Sequence, residues 1–455
     1  MSIEFTYFQP LYGATNSFIY LLVVGLFLLA IISFIKGKFD LLNPSFIYNV
    51  CLAGCCTLTA MYTEIWNMPL HFNTAVIILV MSILFFIGGC LADLTVLNVE
   101  SNNCIKSTVH RGFFINFGIW SFFIVLILCC LYLNYTEFIT VAKQVTNATS
   151  LTQMLGPVTN GLAHQDIHLS RWNSYRFRFV MGIAYLSILA IWINVETQQY
   201  KEIIKWSIFV LLYVPFLVLT GGRQYFMYLI MYSMISFFLV YRKHNRRSNN
   251  VQKVVCKEFA IIGVAIGAFL ICFLGIGFVN GKIGTNTSFL KVFVHYAGTN
   301  ISAFDVYINE MIIPDNRYIG TTTLVPIYGF LNAHGINVPQ FSQYITLFTA
   351  FGTVDTNVYT AFYRYIHDFG FIGCALIMFL LGFFYTFFYR QVYSQGLKYW
   401  LILLYASIAY PIFLMGREER FFNEIFSTSK VSFIIEMLLL YKLFEYINER
   451  RIQAK

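Results

Sequence analysis

The chain has 455 residues, of which 58% are hydrophobic and 11% charged, with a formal net charge of +9. Soluble globular proteins carry roughly a quarter charged residues, so this composition excludes a soluble enzyme and predicts an all-α, polytopic transmembrane helix bundle, a single integral domain over residues 1–455. The positive charge does not imply nucleic acid as a partner, because Lys and Arg gather in short stretches beside apolar runs, as in cytoplasmic membrane loops.

The opening stretch "MSIEFTYFQPLYGATN" has no basic leader, and no A-x-A-like site follows the first apolar run, so no cleavable signal peptide is expected. A spanning helix needs about 20 mainly apolar residues. That rule predicts about eleven helices, near 15–35, 44–62, 74–94, 113–133, 178–195, 203–220, 223–241, 259–279, 370–389, 399–416 and 430–447. The last is the weakest, with Glu436 in its middle and Lys442 near its end. Eight of the ten cysteines fall in apolar runs, and Cys104 and Cys256 in short basic loops, so all read as reduced packing residues.

The stretch "YRKHNRRSNNVQKVVCKE" after the seventh helix carries six Lys or Arg and is expected in the cytoplasm. Alternation then puts Lys36, Lys38, Lys106, Arg111, Lys201, Lys205, Arg390, Lys398 and the tail "NERRIQAK" inside, and the N-terminus and "TEIWNMPLHFN" outside. The expected setting is a bacterial inner membrane, with the N-terminus periplasmic and the C-terminus cytoplasmic. Two long periplasmic loops result, 134–177 and 280–369. The second is aromatic and apolar, which suggests short interfacial or re-entrant helices.

Basic residues beside helices are depleted on the outer side, yet several stand there. Arg176 and Arg178 stand at the start of the fifth helix, Arg223 opens the seventh in "LTGGRQYF", Arg364 precedes the ninth, and Arg417 and Arg420 follow the tenth in "GREERFF". Each alone could snorkel to lipid headgroups. Together, Arg176, Arg223, Arg364, Arg417 and Arg420 suit a polyanion, since the guanidinium fork matches phosphate oxygens and keeps its charge when partly buried. Lys143, Lys282, Lys291 and Arg317 lie within the long loops and carry less weight. The two glycines before Arg223 would let backbone approach a ligand closely, or simply form a turn.

Asp-x-Asp, the G-x-x-x-x-G-K-[ST] phosphate loop and H-E-x-x-H are all absent from the sequence. "HQDIH" sets His164 and His168 four apart without an evident third ligand, so no metal and no cofactor are expected.

The remaining concentration of polar groups is "NVYTAFYRYIHDFGFIG", residues 357–373, where Arg364, His367 and Asp368 precede an apolar helix. In its Asn and Tyr, and in an acidic residue before Gly-x-x-Gly at a helix entrance, this stretch resembles the Wzy-type O-antigen and oligosaccharide-repeat polymerases, and more distantly the O-antigen ligases. Arg223 in "TGGRQ" resembles an arginine those proteins place at an outer helix mouth. The motifs cover about 25 residues, whereas the topology covers the whole chain. Ligases typically have a His before that Asn, where this chain has Thr356 after Asp355.

The resemblance implies a glycosyltransferase that polymerises polyprenyl-diphosphate-linked oligosaccharide repeats on the periplasmic face. Its partners would be that lipid-linked substrate, membrane lipid and a regulator of chain length. Its arginines would form the diphosphate clamp, and the base candidates are Asp355, His367 and Asp368, with Glu418, Glu419 and His334 next in line. His367 and Asp368 could equally cap a helix start. A lipid-linked oligosaccharide flippase or other transporter is the alternative, but no internal repeat is visible and Glu436 alone speaks for a mid-membrane site.

Overall fold

The computed structural model describes residues 4–7, 14–96, 112–163, 167–220, 224–245, 257–258, 260–268, 270–271, 275, 289–310, 318–343, 345, 347–351, 354–394 and 396–453. The fold is an all-α membrane bundle, and among these residues eight helices are long and apolar enough to cross a bilayer. The sequence predicts eleven. Three expectations account for the difference. The run near 259–279 lies partly outside the described residues. The run near 399–416 is broken into Tyr399–Ile408 and Pro411–Leu414, with proline in the first position of the second piece. The run near 430–447 sits in a longer and more polar helix, Thr428–Gln453.

The chain divides into two compact units, each assembled from separate stretches. The first comprises residues 1–103, 288–394 and 409–430. Its helices are α1 (Asn16–Lys36), α2 (Pro44–Trp66) and α3 (Phe72–Val96). A short strand pair, β2 (Ala14–Thr15) with β3 (Leu70–His71), ties the start of α1 to the α2–α3 turn. β1 (Glu4–Tyr7) lies parallel to β4 (Leu347–Phe351), which pairs antiparallel with β5 (Val354–Thr356).

α2 starts cleanly because Asn43 caps it, accepting the N–H groups of Ser45 and Phe46 at 3.0 and 3.2 Å, with Pro44 supplying a helical φ at the first position. The helix Ala361–Ser394 packs along α3 on a glycine seam. A Cβ at Gly382 would lie 1.9 Å from the carbonyl oxygen of Phe85, and one at Gly88 2.0 Å from that of Phe379, so only glycine permits this approach. Gly370 breaks the same helix with φ 67° and ψ −175°, a conformation open essentially to glycine alone.

The expected loop 280–369 carries helices and strands in this unit. The helix Phe289–Glu310 buries Ile301, Phe304, Val306 and Tyr307 and packs on α2, where Thr59 Oγ1 donates to the Gly298 carbonyl at 2.7 Å. A shorter helix, Val325–Ala333, follows.

The second unit comprises residues 104–287, 395–408 and 431–455. Here too an expected loop, 134–177, is mostly helical, because the helix Phe117–Val145 continues through its first part, Leu151–Ala163 forms another, and Arg171–Glu196 begins before residue 177. The last of these is buried nearly all round from Val180 to Ile193 and packs against Tyr200–Leu219 and Gln224–Asn245. A helix apolar on every face is a core helix rather than a lipid-facing one. By contrast Leu21, Val24, Leu28, Ile31 and Ile35 of α1 remain exposed, as a surface against hydrocarbon would be.

Candidate functional site

In the first unit, three segments remote in sequence meet: the first turns of Ala361–Ser394, the loop Thr321–Thr323, and the turn 416–427 that ends in a single π-helical turn, Phe421–Ile425. The loop is the hub. Its N–H side is held by Asp368, whose carboxylate accepts from Thr322 N (3.0 Å) and Thr323 N (2.6 Å) and from the hydroxyls of Thr321 (3.1 Å) and Thr322 (3.0 Å). Its carbonyl side is held by Arg364 and Asn423, which both donate to Thr322 O, at 2.5 and 3.1 Å. Arg364 donates a second bond to Gln343 O at 2.6 Å and is only 9% exposed.

The turn itself is dense in charge. Glu419 is buried and accepts from Phe422 N (2.7 Å), Asn423 N (3.1 Å), Asn423 Nδ2 (2.7 Å) and the Tyr365 hydroxyl (3.3 Å). Arg420 reaches Glu418 and Glu424, each at 2.5 Å, and Tyr410 donates to Glu424 at 2.5 Å. The two adjacent carboxyls are pushed apart. Burial works against the charge of both, and for Glu419 it prevails and raises the pKa despite the donors around it. For Glu418 the guanidinium groups of Arg420 and Arg417 overcome burial and hold the carboxyl at about 2.

Arg417 differs from its neighbours. Its one ionic partner among the described residues is Glu418 at 3.5 Å, the ring of Tyr296 lies 6.0 Å from it, and its Nε is buried with no hydrogen-bond partner there. A guanidinium has five donors in a fixed fork. So Arg417 keeps capacity for a bidentate anion, whereas Arg364 is committed to main-chain carbonyls.

The expected site residues separate accordingly. Arg364, Arg417, Arg420, His367 and Asp368 come together in the first unit. His367 faces Asp368, Nδ1 to Oδ1 at 3.1 Å, and packs beside the ring of Tyr363. Asp368 is neither a simple cap nor an open base, since its carboxylate is saturated by a loop 45 to 47 residues earlier. Asp355 is exposed on β5, where its charge reaches His295. Arg176 belongs to the second unit and is bound by Asn134 (2.5 Å) and Glu137 (2.8 Å). Arg223 and His164 lie outside the described residues. His334 is exposed, with Nδ1 against the Phe330 carbonyl at 2.8 Å.

Thr321–Thr323, Asn423, Tyr365 and Tyr296 are site residues that sequence reasoning passes over. The run "TTT" before "LVP" was the available signal, as three hydroxyl residues in an otherwise apolar loop. No protein-family model, curated protein or solved structure matches the chain. The site therefore stands on its own geometry.

Proposed function

We propose that the chain is a membrane glycosyltransferase that joins polyprenyl-diphosphate-linked oligosaccharide repeats into a polysaccharide of O-antigen type. The observation that carries this reading is Arg417, a cation with open donors set among charges inside an apolar bundle. The Arg417 side chain is 24% exposed, and a charge so largely withdrawn from water among apolar helices is costly and marks function by default. On this reading the acceptor hydroxyl attacks the anomeric carbon of the donor chain, the bond from that carbon to the diphosphate breaks, and the diphosphate leaves with the electron pair. Arg417 offsets the charge developing on the leaving group.

The hydroxyl proton passes to a base. His367 suits that role better than Asp368, because Asp368 can hold its imidazole with the proton on Nδ1 and so make Nε2 the basic nitrogen. The arginine-bearing ends then face the periplasm of a bacterial inner membrane, with the N-terminus outside and the C-terminus inside. Reporter fusions after residues 250 and 330 should read cytoplasm and periplasm, and a cytoplasmic signal at 330 contradicts the reading.

The decisive test of function is the glycolipid profile of a strain lacking the protein. Lipid capped with a single repeat is the expected result. Absence of any repeat outside the cell would instead indicate a flippase.

A further inference from the structure

The helix Phe289–Glu310 touches the candidate site at one point along its length and a second polar cluster at another. Toward the site, Asn300 Nδ2 donates to the carbonyl of Gly416, the residue before Arg417, and Tyr296 presents its ring to Arg417. Thr299 Oγ1 meets Thr356 Oγ1 at 3.3 Å. Within the first of these regions the helix lies hard against α2, since a Cβ at Gly298 would lie 3.2 Å from Thr59 N. A shift of this helix along α2 therefore moves Asn300 and Tyr296 against the Gly416–Arg417 turn.

At the second cluster stands Asp305, fully buried, with His71 only 6% exposed. Two nitrogens of His71 meet one carboxylate: the main-chain N–H donates to Oδ1 at 3.1 Å and Nδ1 lies 2.7 Å from Oδ2. Asn309 closes the cluster, donating to Asp305 O at 2.8 Å, to Oδ1 at 3.3 Å and to Thr74 Oγ1 at 3.1 Å. The imidazole Nε2 is buried with no hydrogen-bond partner among the described residues. A two-point grip on a buried carboxylate, made from the fixed turn between α2 and α3, sets the register of the helix that bears Asp305.

We propose that His71 and Asp305 are positioning residues for the anion site, fixing the helix Phe289–Glu310 so that Asn300 and Tyr296 shape the turn that presents Arg417. This rests on Arg417 being an anion site.

The couple is also sensitive to pH. The hydrogen bond to Asp305 raises the His71 pKa against the opposing effect of burial, and the charges acting on it are Asp305 and Glu310. The packed strand β2 contributes only Ala14 and Thr15, and the first turn of α3 only Phe72, Asn73 and Thr74. Glu310 is itself raised by burial and by Asp305, with His71 opposing. Because the folded pKa of His71 exceeds the unfolded one, the ionic part of its grip is complete below the ordinary histidine value near 6.5 and is lost as pH rises through the raised value.

The test uses the purified full chain in lipid nanodiscs. Hydrogen exchange of peptides covering 289–310 and 416–427 is followed from pH 5.5 to 8.5, and inorganic diphosphate binding is measured alongside. In the wild type both segments should lose protection together as pH rises. In His71→Gln, which keeps a side-chain donor but cannot titrate, that pH dependence should vanish. Asp305→Asn should loosen both segments at every pH and weaken diphosphate binding about tenfold, as expected when a binding group is displaced by a fraction of an ångström. If Asp305→Asn loosens 289–310 while 416–427 and diphosphate affinity stay unchanged, the coupling is refuted. Persistence of the pH dependence in His71→Gln refutes the role of His71. If instead the exchange results hold but the wild type binds no diphosphate, the helix register is controlled as proposed and it is the anion-site reading that fails.

Discussion

Arg176 and Arg417 were equal candidates by sequence, each a basic residue at a helix end on the expected outer side, and the structure separates them by what surrounds the guanidinium. In the second unit, Arg176 closes a clasp: Asn134 and Glu137 take its donors, and Glu137 also accepts the main-chain N–H of Ser170 at 2.5 Å. In the first unit, Arg417 has among the described residues one carboxylate, at 3.5 Å, and a buried Nε without a partner. The first arrangement ties two helices together. The second leaves donors of a guanidinium open, as the proposed anion site requires. Position relative to the membrane thus nominates arginines, but donor occupancy distinguishes clasp from site.

The largest expected effect falls on Arg417. Arg417→Ala should lower polymer output by about 100- to 1,000-fold, the usual loss when a donor to a developing charge is removed, with protein abundance unchanged. Arg417→Lys keeps charge without the fork and should also fall well below wild type. Full-length polymer from Arg417→Ala at normal protein levels would make Arg417 another anchor like Arg176.

Asp368→Ala comes next and should act on stability. It leaves the N–H groups of Thr322 and Thr323 without their acceptor in a partly buried loop, at about 1–3 kcal/mol or less for each unsatisfied group. Thermal unfolding of the purified variant reads this directly. An unchanged midpoint with lost activity would instead make Asp368 the base.

Arg176→Ala should cost about 1 kcal/mol or less, as a partly exposed ion pair does, and leave polymer normal. Loss of polymer at full abundance would overturn the division between the two arginines.

The subtlest expectation concerns Glu418, which competes with any anion for Arg417. Its folded pKa lies below the ordinary 4.5, at about 2, so its stabilising effect is present above 4.5 and disappears as pH falls toward 2. Glu418→Gln should therefore be less stable than wild type at pH 7, with the gap closing through that window. It should also bind inorganic diphosphate more tightly, because Arg417 loses the carboxylate that pairs with it. Weaker binding would show that Glu418 orients Arg417 rather than competing with it.

The spanning helices were legible because hydrocarbon thickness demands long apolar runs, and α1, α3 and Phe117–Val145 follow that rule. The helix Phe289–Glu310 was not, since Lys291, His295, Asn300 and Asp305 dilute its hydropathy, although Asn300 and Asp305 are buried against partners that only the fold supplies. No shift of composition marks the two units, because both are equally apolar and each is pieced together from distant stretches. The charged residues of the site were visible in "RYIHD" and "GREER". Their roles were not, because Arg364 and Asp368 are defined by main-chain groups 21 to 46 residues away, which no local pattern encodes.

The most direct test of the central claim is equilibrium binding of a polyprenyl diphosphate to the purified protein in nanodiscs, comparing wild type, Arg417→Ala and Arg176→Ala. Binding should be lost in Arg417→Ala and retained in Arg176→Ala. Equal binding by both variants would contradict the assignment of the anion site to Arg417.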